Sequence, residues 1–284
     1  MATFTNQATL TYNGVSTNSN VAYGEILDVL SATKTAVEGS YTEGDTVTYT
    51  VALRNTGTAA LTNLTLADDL GGYEYEGNTV YPLTYVSGTA LYFVNGVLQP
   101  APSVTAGPPL NVTGISIPAN GDAVIVYQTV ANSFASPEAG GNIVNTVTVS
   151  GDGLSAPITA TATVDAEVSA NLSISKSITP SQVVDNDRVT YTFVIQNSGN
   201  QAVLATDDAV VSDLLNPILT ALAVTFEGDT WTLGTEYNYS ETTGQFTTVA
   251  GNITVPAATY TRDPSTGEYV LNPGTAILTI TGTV

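Results

Sequence analysis

Residues 44–57 read GDTVTYTVALRNTG, and residues 186–199 read NDRVTYTFVIQNSG. In both stretches apolar and polar side chains alternate, which predicts a strand with one buried face that ends in an Asn-x-Gly turn. The inward-facing residues are Val47, Tyr49, Val51 and Leu53 in the first copy and Val189, Tyr191, Phe193 and Ile195 in the second. The copies start 142 positions apart, at residues 44 and 186, so the same core strand is used twice.

The likeness between the copies extends to both sides of this strand. Residues 30–37 (LSATKTAV) match residues 172–179 (LSISKSIT), and residues 64–70 match residues 209–215 after a small insertion. The turn and strand of residues 117–130 resemble residues 270–284. The first copy then continues with residues 141–164, where one more alternating strand precedes a Gly-Asp-Gly turn. The second copy has no such strand, so we expect it to be an incomplete sandwich.

The counterpart of that strand is found at the N-terminus. Its inward-facing residues Phe4, Asn6, Ala8 and Leu10 align with Ile143, Asn145, Val147 and Val149, and Asn13-Gly14 aligns with Asp152-Gly153. We therefore predict a donor-strand arm (residues 1–24), a complete β-sandwich called domain 1 (25–166) and an incomplete strand-accepting β-sandwich called domain 2 (167–284). The alternative is a disordered or locally packed arm beside a second sandwich that is complete with fewer strands.

Composition supports an all-β fold and narrows the possible functions. The chain is rich in Thr, Val and Tyr, which favour strands. Its net charge of −20 opposes binding to nucleic acid or to an anionic membrane surface. With no Cys and no His, disulfides, the usual zinc sites and imidazole catalysis are excluded. No stretch is apolar enough to span a bilayer, and no signal peptide is visible, so we expect no membrane insertion.

The two lysines of the chain, Lys34 and Lys176, occupy the same position of the repeat on the apolar face of their strands. A buried amine requires a partner, and an Asp and an Asn share the inward register in each copy. Burial lowers the pKa of an amine and raises that of a carboxyl group. The neutral amine could then attack a carboxamide polarised by the acid, release ammonia and leave an isopeptide bond.

This set resembles the self-forming Lys–Asn crosslinks of Gram-positive pilins and surface adhesins. The resemblance implies one crosslink inside domain 1 and one between subunits, with the two Asp residues catalytic for this reaction alone. The residues implied are Lys34, Asp68 and Asn145 within domain 1, and Lys176, Asp213 and the Asn6 of a neighbouring subunit. The alternative is a buried Lys–Asp ion pair beside a hydrogen-bonded Asn, without a covalent bond. Asn55 and Asn197 also face inward, but their Asn-x-Gly context favours a turn role.

The same residues carry a family likeness. A Lys on the first strand, the stretch at 44–57, Asp68 to Leu70 and the run from Asn145 to Val149 resemble the conserved-repeat domain of bacterial surface proteins known as domain of unknown function 11. Its members are immunoglobulin-like sandwiches on the exterior of bacteria. The resemblance therefore implies a structural role outside the cell rather than an enzyme.

We expect a subunit of an extracellular bacterial filament, either a pilus-like fibre or a spore appendage. Its partners would be copies of itself in an open homopolymer, with no cofactor and no metal, and Phe4, Ala8 and Leu10 would fill core positions of the next subunit. The alternative is an adhesive or carbohydrate-binding module that uses Trp231 and the Tyr residues. Calcium at Glu43 with Asp45, or at Asp207 with Asp208, belongs to that alternative.

Overall fold

The computed structural model describes residues 2–26 and 28–284, so Met1 of the predicted arm and Leu27 of the predicted domain 1 lie outside the described residues. Among the described residues the helical content is one 3₁₀ turn, Ala205–Asp207, which confirms the predicted all-β class. No helix in this part of the chain is long and apolar enough to cross a membrane.

The strands are short, and their bounds follow in chain order. They are β1 (Ala2–Asn6), β2 (Thr9–Tyr12), β3 (Val15–Asn18), β4 (Ala22–Ile26), β5 (Leu30–Ala36), β6 (Ser40–Tyr41), β7 (Thr46–Asn55), β8 (Leu61–Asp68), β9 (Tyr73–Tyr75), β10 (Asn78–Val80), β11 (Leu83–Tyr85), β12 (Leu91–Val94), β13 (Val97–Leu98), β14 (Ser103–Thr105), β15 (Leu110–Ile117), β16 (Asp122–Ala131), β17 (Asn142–Asp152), β18 (Ile158–Ala166), β19 (Leu172–Thr179), β20 (Arg188–Asn197), β21 (Ser212–Leu214), β22 (Thr220–Phe226), β23 (Asp229–Trp231), β24 (Tyr237–Tyr239), β25 (Gln245–Thr248), β26 (Thr259–Arg262), β27 (Tyr269–Asn272) and β28 (Gly274–Thr283).

The chain divides into two compact units. The first comprises the residues up to Ser136 together with Asn142–Asp165, and the second comprises Pro137–Gly141 and Ala166–Val284. The division after residue 165 lies next to the predicted domain boundary after residue 166. The N-terminal arm belongs to the first unit.

The first unit is a sandwich of two sheets. One sheet has the order β13-β12-β16-β7-β5, with β11 also paired to β16, and the other has the order β14-β15-β8-β17-β18-β6. Along β7 and β16 every second residue is buried, as the alternation in the sequence predicts. The apolar inner faces of both sheets form one core, into which Lys34, Asp68 and Asn145 also point.

The second unit repeats the first sheet and part of the second. Its sheets have the orders β19-β20-β28-β22-β23 and β21-β25-β24, and β26 and β27 form a separate hairpin. β20 has the same alternation of burial as β7, residue by residue. In the first unit β8 pairs with both β15 and β17, whereas β21 pairs with β25 only. Among the described residues the second unit thus has no counterpart of β17, as predicted, and none of β18.

The arm forms a hairpin on its own. β1 pairs with β4 and β2 pairs with β3, and the chain reverses at Asn13 and Gly14 with φ angles of 47° and 79°. Positive φ at both central residues is the conformation that Asn-Gly turns of tight hairpins adopt. The side chains from Phe4 to Tyr23 are exposed, so the apolar face predicted for the arm is uncovered in the single chain.

Candidate crosslinking site and strand-acceptor groove

Lys34 and Asp68 meet in the core of the first unit, because β5 and β8 belong to facing sheets. The Lys34 Nζ lies 2.5 Å from the Asp68 Oδ2, and both side chains are completely buried. The ammonium group also lies 4.7 Å from the centre of the Tyr49 ring. The structure thus brings the predicted amine and acid together, and the ring adds a cation–π contact.

Asp68 is held by two further donors. The Tyr127 hydroxyl donates to the same Oδ2, and the Leu70 backbone N–H donates to the Oδ1 at 2.9 Å. The set predicted from the sequence did not include Tyr127. Its signal was present, because Tyr127 is a polar side chain in the inward register of β16, directly opposite Tyr49 on β7.

Asn145 completes the buried polar set from β17. It has no exposed surface, and neither side-chain polar atom has a hydrogen-bond partner among the described residues. The Tyr49 hydroxyl lies beside this amide and is likewise without a hydrogen bond of ordinary geometry. Leaving a buried polar group unpaired costs about 1–3 kcal/mol, so such groups need an explanation.

Burial shifts the pKa of three groups in this polar set. Burial lowers the pKa of Lys34, and the charge of Asp68 opposes this shift only in part. Burial also raises the pKa of Tyr127 and of Tyr49, so both hydroxyls stay protonated, and that of Tyr127 donates to Asp68. A lowered amine pKa increases the fraction of neutral, nucleophilic Lys34 near neutral pH.

The other inward-facing asparagines have a different role. The Asn55 amide donates to the carbonyls of Ala59 and Pro118, both at 2.9 Å, and its Oδ1 accepts from the Gly57 N–H. Asn197 makes the corresponding bond to the Gly199 N–H at 3.0 Å. Both side chains therefore brace turns, as their Asn-x-Gly context predicted.

The second unit presents the same pair at its surface. Lys176 Nζ is ion-paired with Asp213, but 37% of the Lys176 side chain is exposed, in contrast to the buried Lys34. The Lys176 Nζ lies 4.4 Å from the centre of the Tyr191 ring. The position equivalent to Tyr127 is Ile280, which lies opposite Tyr191, so Asp213 lacks the tyrosine donor that Asp68 has.

The strand that carries Lys176 is uncovered along its length. All residues of β19 are exposed, and Leu172, Ile174 and Ile178 on its apolar face have 44%, 55% and 41% of their surface accessible. The equivalent β5 buries Leu30 and Lys34. We call the surface formed by β19 and the free edge of β21 the acceptor groove.

The predicted donor residues lie on the arm with their side chains exposed. Phe4 and Leu10 have 55% and 67% of their surface accessible, and Asn6 and Ala8 are exposed as well. The predicted contact of Asn6 with Lys176 and Asp213 of a neighbouring subunit stays a prediction.

The acidic residues considered for calcium have local roles. The Asp45 Oδ2 accepts from the Thr42 N–H at 2.8 Å, and the Asp207 Oδ2 accepts from the Leu204 N–H at 2.7 Å. Within the described part of the chain, no group of three or more acidic side chains could hold a metal ion. Trp231 packs on Phe226, with ring centres 5.1 Å apart, and is partly buried against the core of the second unit.

No protein-family model matches the chain, and no curated protein matches it. Solved structures with partial likeness include the full-length RrgB pilus protein from Streptococcus pneumoniae, at 14% identity and a TM-score of 0.35 over 91% of this chain. The N-terminal domain of the Streptococcus gordonii adhesin Sgo0707 matches at 18% identity and a TM-score of 0.35 over 53% of this chain. A family 123 glycoside hydrolase from Clostridium perfringens matches at 14% identity and a TM-score of 0.31 over 49%.

The matched regions cover 41% of the pilus protein, 35% of the adhesin domain and 27% of the hydrolase, so this chain spans less than half of each.

Proposed function

We propose that this protein is the structural subunit of an extracellular bacterial filament, in which the N-terminal arm of one molecule fills the acceptor groove of the next. The observation that carries the proposal is the pairing of two incomplete surfaces in one chain. The second unit has an uncovered apolar strand and a sheet edge without a neighbour, and the arm has an exposed strand with the matching alternation. Apolar surface and free strand edges of this kind favour strand addition.

The first unit supplies the template for the filled groove. There β17 pairs with β8 so that Val147 lies opposite Asp68. In the same register Ala8 of the incoming arm would lie opposite Asp213, and Phe4 and Leu10 would cover β19. Because arm and groove are different surfaces, each added subunit offers a new groove, and the polymer stays open.

The isopeptide bonds are the second part of the proposal. In the first unit the neutral Lys34 amine attacks the Asn145 Cγ. A C–N bond forms, the bond from Cγ to Nδ2 breaks, and the amide nitrogen leaves as ammonia with one proton from the amine. Asp68 transfers the protons, and the buried Lys34 and the unpaired Asn145 amide support this step. Lys176, Asp213 and the Asn6 of the neighbouring subunit would react in the same way.

The proposal includes a relationship to the conserved-repeat surface domains and a location on the surface of a bacterial cell or spore. A filament held by strand donation and amide bonds suits a mechanically exposed appendage. The adhesive alternative has no comparable support, because Trp231 packs against the core.

Negative-stain electron microscopy of the purified protein tests the proposal. The full chain is expected to form regular filaments, and a chain that lacks residues 1–14 is expected to stay monomeric with both units folded. Filaments of unchanged appearance from the truncated chain would refute strand donation. Intact mass of the truncated monomer tests the internal crosslink separately.

A further inference from the structure

In the first unit the strand that the arm is proposed to mimic is not an edge strand. β17 is covered by β18, and β18 is in turn followed by β6. Three inward residues of β18 are buried, namely Ala162, Val164 and Ala166. A groove filled by a counterpart of β17 alone would keep a free edge where the first unit has β18.

The arm already contains a return strand in the matching register. In the first unit Asn145 lies opposite Ala162, and in the arm Asn6 lies opposite Ala22. The next inward pair is Ile143 with Val164 in the first unit and Phe4 with Gly24 in the arm. A Cβ added to Gly24 would lie 2.3 Å from the Phe4 ring, so the ring occupies the space that a side chain at position 24 would need. The large Phe4 ring and the missing side chain of Gly24 thus take the place of the two medium-sized side chains of Ile143 and Val164.

The second unit also retains the segment that would receive the return strand. In the first unit the Asp165 N–H donates to the carbonyl of Gly39, next to β6. The turn after β6, in which the Thr42 N–H donates to Asp45, recurs where the Val184 N–H donates to Asp187. Residues 181–184 therefore contain the counterparts of Ser40 and Tyr41 in β6, at positions 182 and 183, yet they form no strand.

We infer that the donated element is the whole N-terminal hairpin, residues 2–26 of a second copy. This inference rests on the proposed function and specifies it. The first strand of the hairpin lies beside β21 as β17 lies beside β8. The return strand covers it as β18 covers β17, and its outer edge reaches residues 181–183. The second-unit sandwich of each subunit is then completed by the hairpin of the next subunit along the polymer.

A disulfide crosslink tests this placement, because the chain has no cysteine of its own. Asp165, whose N–H donates to the Gly39 carbonyl, and the neighbouring Ser40 are both exposed. The counterpart of Asp165 in the arm is Glu25, and the counterpart of Ser40 in the second unit is Gln182. Neighbouring strands lie about 4.8 Å apart, which suits a disulfide with about 4.4–6.8 Å between Cα atoms. The full-length double variant Glu25→Cys, Gln182→Cys is assembled from mixed unlabelled and ¹⁵N-labelled subunits and oxidised, and its linked peptides are identified by mass spectrometry.

We expect linked peptides that join one labelled to one unlabelled subunit. The matched control, Thr17→Cys with Gln182→Cys, places the first cysteine about 26 Å farther along the hairpin and should give no such peptide. Filaments without the expected link would overturn hairpin donation while strand donation stands. Links within one label only would place the hairpin on its own chain and overturn both ideas, and absence of filaments from the wild-type chain would do the same.

Hydrogen exchange of the wild-type protein gives a test without variants. The backbone amides of residues 181–184 are expected to exchange more slowly in filaments than in monomers, because a strand edge covers them. If filament formation slows hydrogen exchange of the β21 amides but leaves the exchange of residues 181–184 unchanged, then a single strand is donated and not the hairpin.

Discussion

Replacing Asn145 by Ala separates the covalent from the non-covalent interpretation of the buried polar set. If Lys34 and Asn145 are joined, the bond closes a loop of roughly 110 residues, and a crosslink of that span contributes about 5 kcal/mol through chain entropy. A unit of this size loses about 2–4 °C in Tm per kcal/mol. Asn145→Ala should therefore lower the Tm of the first unit by about 10–20 °C.

The non-covalent interpretation predicts a different result for the same variant. The Asn145 amide has two polar atoms without partners, and removing such atoms relieves a cost of about 1–3 kcal/mol, offset in part by the small cavity that is left. Without a crosslink the Tm should thus change little or rise. The direction and size of the change in Tm therefore decide between the covalent and the non-covalent interpretation.

Intact mass under denaturing conditions is the matching chemical assay. The wild-type chain should be lighter than its sequence mass by one ammonia for the first unit, and Asn145→Ala should have its full sequence mass. Asn55→Ala is the control, since it removes a buried asparagine that braces a turn. It should lose stability and still show the mass deficit. A wild-type monomer at full sequence mass would refute the internal crosslink.

Three further predictions concern charge, assembly and the subunit junction. In the Asn145→Ala variant Lys34 is unreacted, and its pKa is lower in the folded state than in the unfolded state. Between the lowered pKa and about 10.4 the unfolded state therefore binds more protons, so the free energy of unfolding measured with denaturant should rise with pH. A free energy of unfolding that falls across that window would contradict the burial argument. Leu10→Asp should abolish filaments in electron microscopy without lowering the Tm of the monomer, because Leu10 is exposed in the free chain. The control variant Thr5→Asp, on the opposite face of the arm, should still form filaments. If the two variants behave alike, the predicted register of the arm is wrong. Lys176→Ala should still give filaments, but these should dissociate to monomers in hot detergent, and survival of the ladder of oligomers on a gel would exclude Lys176 as the inter-subunit nucleophile.

Much of the candidate site could be predicted from the sequence, because alternation along a strand is a local property. The inward register of Lys34, Asp68 and Asn145 follows from the spacing of their apolar neighbours, and the repeat independently identifies Lys176 and Asp213. In the structure Lys34 is ion-paired with Asp68, and Lys176 is ion-paired with Asp213.

The missing details depend on contacts between elements far apart in the chain. Tyr127 reaches Asp68 only because β16 and β8 belong to facing sheets, and the local pattern of β16 shows that Tyr127 faces inward but not which residue it contacts. The same holds for Asn145 and Asn55, which have the same residue type and the same burial. Only their surroundings show that one amide braces a turn and that the other has no partner.

The all-β class, the two copies and the inward or outward face of each polar residue in the set can be predicted from the sequence, because a period of two residues fixes side-chain direction within any strand. The neighbours of each strand are known only from the folded structure. It showed that Lys34 is buried while Lys176 is open, and that the described residues of the second unit contain no counterpart of β18 either. Strand neighbours come from pairing between distant segments, and the same alternating strand is buried or exposed according to whether another strand covers it.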